Sequence, residues 1–520
     1  MTGVGTLLRS HLRRDRWMLL WWVAGTVLLY WSQAVGTRAT YTTDAELAEA
    51  ARALVDNPAL VAMTGPARAL DTIGGQVAWQ AGAFGIIVLA LMNMFLLGRH
   101  LQAEEESGRD ELVRSAAVSR TAPIVAAALL VVAADVVTGV LVVVALVGYG
   151  LPVAGSVVLA VGLVGSALVL GAAALVAMQL TTSVRSAYGI TGAVVAAAYV
   201  LRAVGDVGDG TLSWFSPIGW AQAMWPYSGD RWWPAVLFVP AVAGLTSLAL
   251  VLLHRRDVGS GLWAARPGPA TGRLGAWSLT WRLQRGSVLG WSLGTFLMGL
   301  AYGSLGDSVG EVVGDGELAR DVLGVNGRDV VDGFHATSLA MIALLACGFS
   351  VSSALRLRGD EDGGHVELLL STTLTRRTWW LAHVLVTAAG TAVAVVAGGL
   401  GLGVGFALTT GEGSAVGRLG LDATTHVPAA WALAGLALVL HGWLPRATVL
   451  AWAGVAGCTV VLFFGALLDL PSRVTHLSPF EALARVPAES WSAGPFAAVL
   501  AATLLLGAAG LVGTTRRDLG

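Results

Sequence analysis

Two stretches of this sequence gather charged side chains at matching intervals. The first runs Glu105-Glu106-Ser107-Gly108-Arg109-Asp110-Glu111-Leu112, and the second, 256 residues further on, runs Glu361-Asp362-Gly363-Gly364-His365-Val366-Glu367-Leu368. The same offset pairs Ser115 with Ser371, Val118 with Leu374, Ser119 with Thr375 and Arg120 with Arg376. Each stretch therefore reads as an acidic pair, a glycine, a Glu-Leu step, a serine and a closing arginine. From Asp110 to Val118 the pattern suits a short amphipathic helix, with Leu112 and Val113 beside Glu111 and Arg114. Such a segment recognises a partner rather than catalysing a reaction. Other chemistry is excluded by composition. All 32 basic residues are arginine, so there is no lysine for a phosphate-binding P-loop or for a Schiff base. If ATP powers this protein, another chain hydrolyses it. Cys347 and Cys458 lie in apolar runs, which argues against a disulfide framework or a metal site. A net charge of −1 gives no case for nucleic acid.

The elements that must position these loops are membrane spans. Of 520 residues, 55% are hydrophobic and 12% charged, against about 25% charged in a soluble domain, and the mean hydropathy is +0.71. Apolar runs of membrane length fall near 17–36, 78–98, 122–150, 155–180, 184–204 and 233–254, and again near 287–306, 334–355, 378–407, 427–445, 447–468 and 493–514. The first, Trp17–Gly36, is too long for a signal-peptide core and is expected to stay as an uncleaved span. With both termini inside, 22 of the 32 arginines fall on the cytoplasmic side, as the positive-inside rule favours. Asp44, Glu46, Glu49, Asp56 and Asp71 gather in the first outer loop.

The two sets of spans repeat. Arg13, Arg16, Trp22, Gly25 and Thr26 correspond to Arg282, Arg285, Trp291, Gly294 and Thr295, and Ser216-Pro217-Ile218 to Ser478-Pro479-Phe480. Six spans per half is an even number, so both halves share one orientation. The expected fold is an all-α polytopic membrane protein with about 12 transmembrane helices as two parallel-repeat six-helix bundles. The first half covers 1–254, a cytoplasmic linker containing Pro267-Gly268-Pro269 covers 255–278, and the second half covers 279–520.

The segment Glu105–Arg120, repeated at Glu361–Arg376, resembles the E-E-x-G-x-x-E-L-L-x-S/T-x-x-x-S/T-R element of ABC-2-type exporter permeases. The fused twelve-span layout with a long first outer loop is similar to polyketide-antibiotic exporter permeases of high-GC bacteria. The resemblance implies that each element is a coupling helix seated in a cleft of an ATPase subunit. The docking residues it implies are Glu105, Glu106, Gly108, Glu111, Leu112, Ser115 and Arg120, and in the second half Glu361, Asp362, Gly364, Glu367, Leu368, Ser371 and Arg376. Ala117 and Thr373 depart from the family pattern, which often has proline there. The implied protein is a cell-membrane exporter of a small apolar or amphipathic compound, with no cofactor or metal of its own. It would partner the lipid bilayer and a separate ATPase, in two copies, that carries ATP-Mg.

Further features are secondary. Leu7, Leu8 and Leu12 among Arg9, Arg13 and Arg16 suit a basic interfacial helix, as do Trp277, Leu279, Trp281 and Leu283 beside Arg282 and Arg285; the resemblance makes these elbow helices. Thr43-Asp44-Ala45-Glu46 is a capping box opening a short outer helix to about Leu54, with Glu317–Val331 as its counterpart in the second half. Asp135 lies inside the third span, where an acid is costly and is a candidate polar site; Thr391 takes its place in the repeat. His335 and His441 read as structural, and Gly399, Gly401, Gly403 and Gly405 as a close-packing stripe. The rival functions are a proton-driven twelve-span drug carrier and a membrane-embedded glycosyltransferase using Asp44 and Glu46. The acidic opening of the first loop argues against the carrier, and the duplication argues against the glycosyltransferase.

Overall fold

A computed structural model of the chain describes residues 2–54, 58–109, 115, 118–256, 261, 275–306, 330–464 and 471–517. All regular structure among them is helical. The chain divides into two units, Met1–Gly268 and Pro269–Gly520.

The first unit contains α1 (Val4–Thr40), α2 (Asp44–Leu54), α3 (Pro58–Thr64), α4 (Ile73–Leu97), a π-helical turn over Gly98–Gln102 and α5 (Ala103–Glu106). It continues with α6 (Ala122–Gly148), α7 (Val153–Leu180), α8 (Val184–Val207), α9 (Pro217–Ala223) and α10 (Phe238–Arg255). Helix α7 is the hub, packing on α4, α6, α8, α9 and α10. It is apolar on all sides, which suits a helix surrounded by others, and its glycines let neighbours approach. A Cβ at Gly162 would lie 3.0 Å from that of Ala221, and one at Gly171 would lie 3.2 Å from the Asn93 amide.

The second unit contains α11 (Ala276–Gly303), α12 (Val330–Ala354), α13 (Arg356–Asp362), α14 (His365–Leu370), α15 (Arg376–Thr410), α16 (Ala415–Ala423), α17 (Val427–Trp443), α18 (Leu450–Phe464) and α19 (Ala493–Arg516). Here α15 is the hub, against α11, α12 and α16. The glycine stripe of α15 has two working faces. A Cβ at Gly401 or Gly405 would sit 2.1 or 2.2 Å from a carbonyl oxygen of α11, and one at Gly399 or Gly403 would sit 2.6 or 2.7 Å from a carbonyl oxygen at Leu419 or Ala415.

Hydrogen bonds fix the direction of the helices within each unit. In the first, Ser119 N donates to Thr2 O, Gln102 Nε2 to Thr181 O, and Arg120 Nη2 to Leu253 O. The N-terminus, Gln102, Ser119 and Arg120 of the charged loop, the α7–α8 turn and the end of α10 thus meet at one end. In the second, Arg356 Nη1 donates to Leu283 O and Arg376 Nη1 to Arg517 O. Each unit starts and finishes on the side that carries its charged loop.

Ten helices among the described residues are long and apolar enough to cross a membrane. Helices α11 and α18 occupy the two remaining positions of the expected twelve. At 15 residues, α18 is shorter than the ~20 residues of a full crossing, and residues 465–470, part of the expected 447–468 span, lie outside the described ones.

The expected elbow helices are corrected. No break separates the basic segments from the spans: α1 runs uninterrupted for 37 residues and α11 for 28, the former roughly 55 Å at 1.5 Å per residue. The reason lies in buried polar anchors that hold the leading turns against the bundle. Asp15, fully buried, is hydrogen-bonded to His100 and, at 3.1 Å, ion-paired with Arg99. At the matching place in α11, Gln284 accepts a hydrogen bond from Ser353, whose hydroxyl also meets Thr387 at 2.6 Å.

The capping box forms as expected. Glu46 N donates to Thr43 Oγ1 at 3.2 Å, while Glu46 Oε2 accepts from Thr42 N and Thr43 N. The Thr42 hydroxyl and these amides hold the Glu46 carboxyl below its usual range. Residues 317–329 of its expected counterpart lie outside the described ones.

Candidate functional site

Each charged loop closes onto the last long helix of its own unit. In the first, Glu105 leaves the π turn on α5 and accepts an ion pair from Arg256 Nη2 at 2.8 Å, with the two side chains only 10% and 6% exposed. In the second, Glu361 on α13 accepts from Arg517 Nη2 at 2.6 Å and lies 3.3 Å from His441 Nε2. Arg256 and Arg517 are the residues directly after α10 and α19, and both are extended C-caps whose amide bonds back to the helix. A buried pair of this kind is costly to break one-sidedly, because the survivor keeps its desolvated charge.

The rest of the pattern repeats in space as it does in sequence. Gly108 and Gly364 take φ of +70° and +69°, a left-handed conformation that glycine adopts at little cost. The amide of each bonds to the carbonyl of the acid three residues before, Gly108 N to Glu105 O at 3.1 Å and Gly364 N to Glu361 O at 2.9 Å. The closing arginines then cap the final helices. Arg120 Nη2 donates to Leu253 O and Arg256 O at 3.0 and 2.7 Å, and Arg376 Nη1 to Arg517 O at 3.1 Å. These carbonyls have no intrahelical partner, and a guanidinium also suits the negative end of the helix dipole. Acid, glycine and arginine thus form one joint, made twice.

The structure separates the residues of each loop into two sets. Glu105 and Glu361 turn inward to the joint, and Glu106 accepts from Val184 N at the start of α8. Asp362 pairs with Arg358 at 2.7 Å. Facing outward on α14 are Glu367 and Leu368, the leucine 71% exposed, while Val366 on the same short helix is buried. Ser115 and Ser371 are exposed, the latter donating to Leu368 O. Glu111 and Leu112 lie outside the described residues.

Asp135 is fully buried within the first unit and accepts from Asn93 Nδ2 at 2.8 Å, and the same amide nitrogen reaches Ala167 O at 3.0 Å. Thr391 bonds only to its own helix, at Thr387 O. The acid thus belongs to an α4–α6–α7 tie that has no counterpart at Thr391 among the described residues. Sequence reading did not identify Asn93, and it placed Arg256, Arg517 and His441 outside the site. Arg256 and Arg517 did carry a signal: each is the basic residue closing the sixth span of its half.

Two repeated bundles of membrane-length helices, each with its loop fastened to its final helix, define a duplicated multi-pass membrane protein of the permease type. The chain is 36% identical to the multidrug efflux system permease protein Rv1217c of Mycobacterium tuberculosis (strain ATCC 25618 / H37Rv) over 524 residues, covering 99% of this chain and 95% of that protein. Residues 274–514 match the family described as multidrug efflux system permease Rv1217c, C-terminal domain. The chain belongs to this family of permeases.

Proposed function

We propose that the chain is the membrane permease subunit of an ATP-binding-cassette exporter of the ABC-2 type, moving small apolar or amphipathic compounds out across the cell membrane. ATP-Mg would be bound and hydrolysed by a separate ATPase, in two copies, one for each loop. Both termini and both loops would lie on the cytoplasmic side. The observation that carries this reading is the repeated joint. A loop that only connected two spans needs no buried ion pair to the last helix of its bundle, whereas a loop that takes force must be fastened to what it moves. Closure of the ATPases on nucleotide would push the outward-facing Glu367 and Leu368, and their counterparts Glu111 and Leu112. The joints would pass that push to α10 and α19 as rigid-body motion. The relative's printed name, a multidrug efflux permease, agrees with this role.

Exposed Glu367 supplies the test, because reversing it leaves the joint intact. Co-expression of the tagged chain with its companion ATPase should recover the ATPase with the parent chain. Glu111→Arg combined with Glu367→Arg should lower that recovery about tenfold or more, since like charges across an interface cost several kcal/mol. Unchanged recovery from the double variant would refute the docking role.

A further inference from the structure

At the end of the first unit opposite its charged loop lies a cavity of about 270 Å³. Its walls are apolar, with Trp79, Ile86 and Leu163 among them, and Gly82 leaves part of the lining open, since a Cβ there would meet nothing within 4 Å. The segment above is tied down by α8 and α9: Arg202 Nη2 donates to Met63 O, Tyr199 Oη to Met63 O, and Gln222 Nε2 to Thr64 O. The space is therefore built into the fold.

Four polar groups on this lining have no hydrogen-bond partner among the described residues. The Tyr30 hydroxyl and Gln222 Oε1 are buried and unsatisfied, a state that ordinarily calls for a ligand or water. The guanidinium groups of Arg68 and Arg231 both lie over the Trp225 ring, 3.8 and 3.0 Å from its centroid, and neither makes an ion pair. Both are exposed, which puts them where the cavity opens. Partial desolvation and the neighbouring Arg231 charge hold the Arg68 guanidinium below its usual range, against the opposing pull of Asp206. The carboxylate of Asp206, also on the lining, accepts from Ser213 Oγ at 2.6 Å and faces Arg202 at 3.5 Å, so its charge is shared and offsets that of Arg68 only in part. Two unpaired cations stacked on one tryptophan repel each other, and an anion between them would relieve that repulsion while filling their free N–H donors.

We infer that this cavity is a binding site for an amphipathic organic anion, its apolar body held among Trp79, Ile86 and Leu163 and its acidic group held by Arg68 and Arg231. The apolar walls with a few convergent polar groups match what small-molecule sites are made of. The inference rests on the proposed function only in taking amphipathic molecules as cargo. Binding itself requires no ATPase, so the test uses the chain alone and its outcome is separate from that of the coupling experiment.

The full chain in phosphatidylcholine nanodiscs, with empty nanodiscs as control, is titrated with 8-anilinonaphthalene-1-sulfonate and with its uncharged counterpart N-phenyl-1-naphthylamine. Saturable binding of both is expected. Arg68→Gln with Arg231→Gln should weaken the sulfonate about tenfold or more and leave the neutral probe unchanged, because only charge-assisted hydrogen bonds are lost. Gly82→Leu, which fills the cavity, should weaken both. Repeating the titration with phosphatidylglycerol in the discs separates the two sources of such an anion. Competition assigns the site to anionic lipid, and its absence assigns it to a free amphiphile. Sulfonate binding that survives the double arginine variant, or neutral-probe binding lost along with it, overturns the inference, as does Gly82→Leu binding both probes like the parent.

Discussion

Replacing Gly401 by valine will strongly destabilise the second unit, and alanine will already weaken it. The Cβ of any residue at 401 lies 2.1 Å from Phe296 O and would come within 3.0 Å of the Phe296 backbone carbons, all of them main chain that no rotamer change can move aside. Gly299 and Gly303 on α11 make the reciprocal approach: a Cβ on either would lie 2.0 Å from a carbonyl oxygen of α15. The two helices meet backbone to backbone, as small-residue stripes in membranes allow. Restoring van der Waals distance means parting them by about 1 Å along their contact, and overpacking costs about 1–3 kcal/mol even where side chains can yield. The control is Gly507→Ala on α19, where a Cβ meets nothing within 4 Å; it should be neutral or gain up to about 1 kcal/mol of helix propensity. Thermal unfolding followed by size-exclusion chromatography checks both. If Gly401→Val gives monodisperse protein with the parent's melting temperature, the close contact of α11 with α15 is wrong.

Breaking the joint is expected to be the next largest effect, and it can be reversed. Glu105→Arg or Arg256→Glu alone places like charges together in a site where the side chains are 10% and 6% exposed. Removing one partner of such a pair costs about 3 kcal/mol or more, a fall in melting temperature of roughly 6–12 °C for a unit of this size. The double variant Glu105→Arg/Arg256→Glu restores an ion pair across the same gap and should recover at least half of the loss. Arg120 will still cap α10 in every variant, because it binds the backbone carbonyls of Leu253 and Arg256 rather than a side chain. Additive losses in the double variant would show that the two residues do not act as a pair. In the proposed transport cycle, the single variants should still bind the ATPase but move less cargo per ATP hydrolysed, since only Arg120 still ties the loop to α10.

The helices were legible because hydrophobic length alone marks a span. Boundaries such as 122–150 against α6 and 493–514 against α19 moved by only a few residues. The capping box at Thr43 was legible for the same kind of reason, being local chemistry over four residues. Other features depend on tertiary partners. The amphipathic pattern around Arg9 and Arg13 suggested a helix lying in the interface, but the partner of Asp15 is His100, 85 residues away, and only the fold brings them together. The recurrence of the loop acids points to a docking surface. The recurrence was real, yet Glu105 and Glu361 serve arginines more than 150 residues away, which no spacing rule reveals. The cavity was invisible for the same reason, since Arg68 and Arg231 meet only on Trp225.

The source of energy for transport separates an ATPase-coupled permease from a proton-driven carrier. Proteoliposomes holding the chain alone, and others holding the chain with its co-purified ATPase, are loaded to follow movement of a fluorescent amphipathic dye against its gradient. Uphill movement should occur only with the ATPase and ATP present, should cease with Glu111→Arg/Glu367→Arg, and should be indifferent to an imposed proton gradient. Uphill movement by the chain alone, driven by protons and unaffected by ATP, would contradict ATPase coupling.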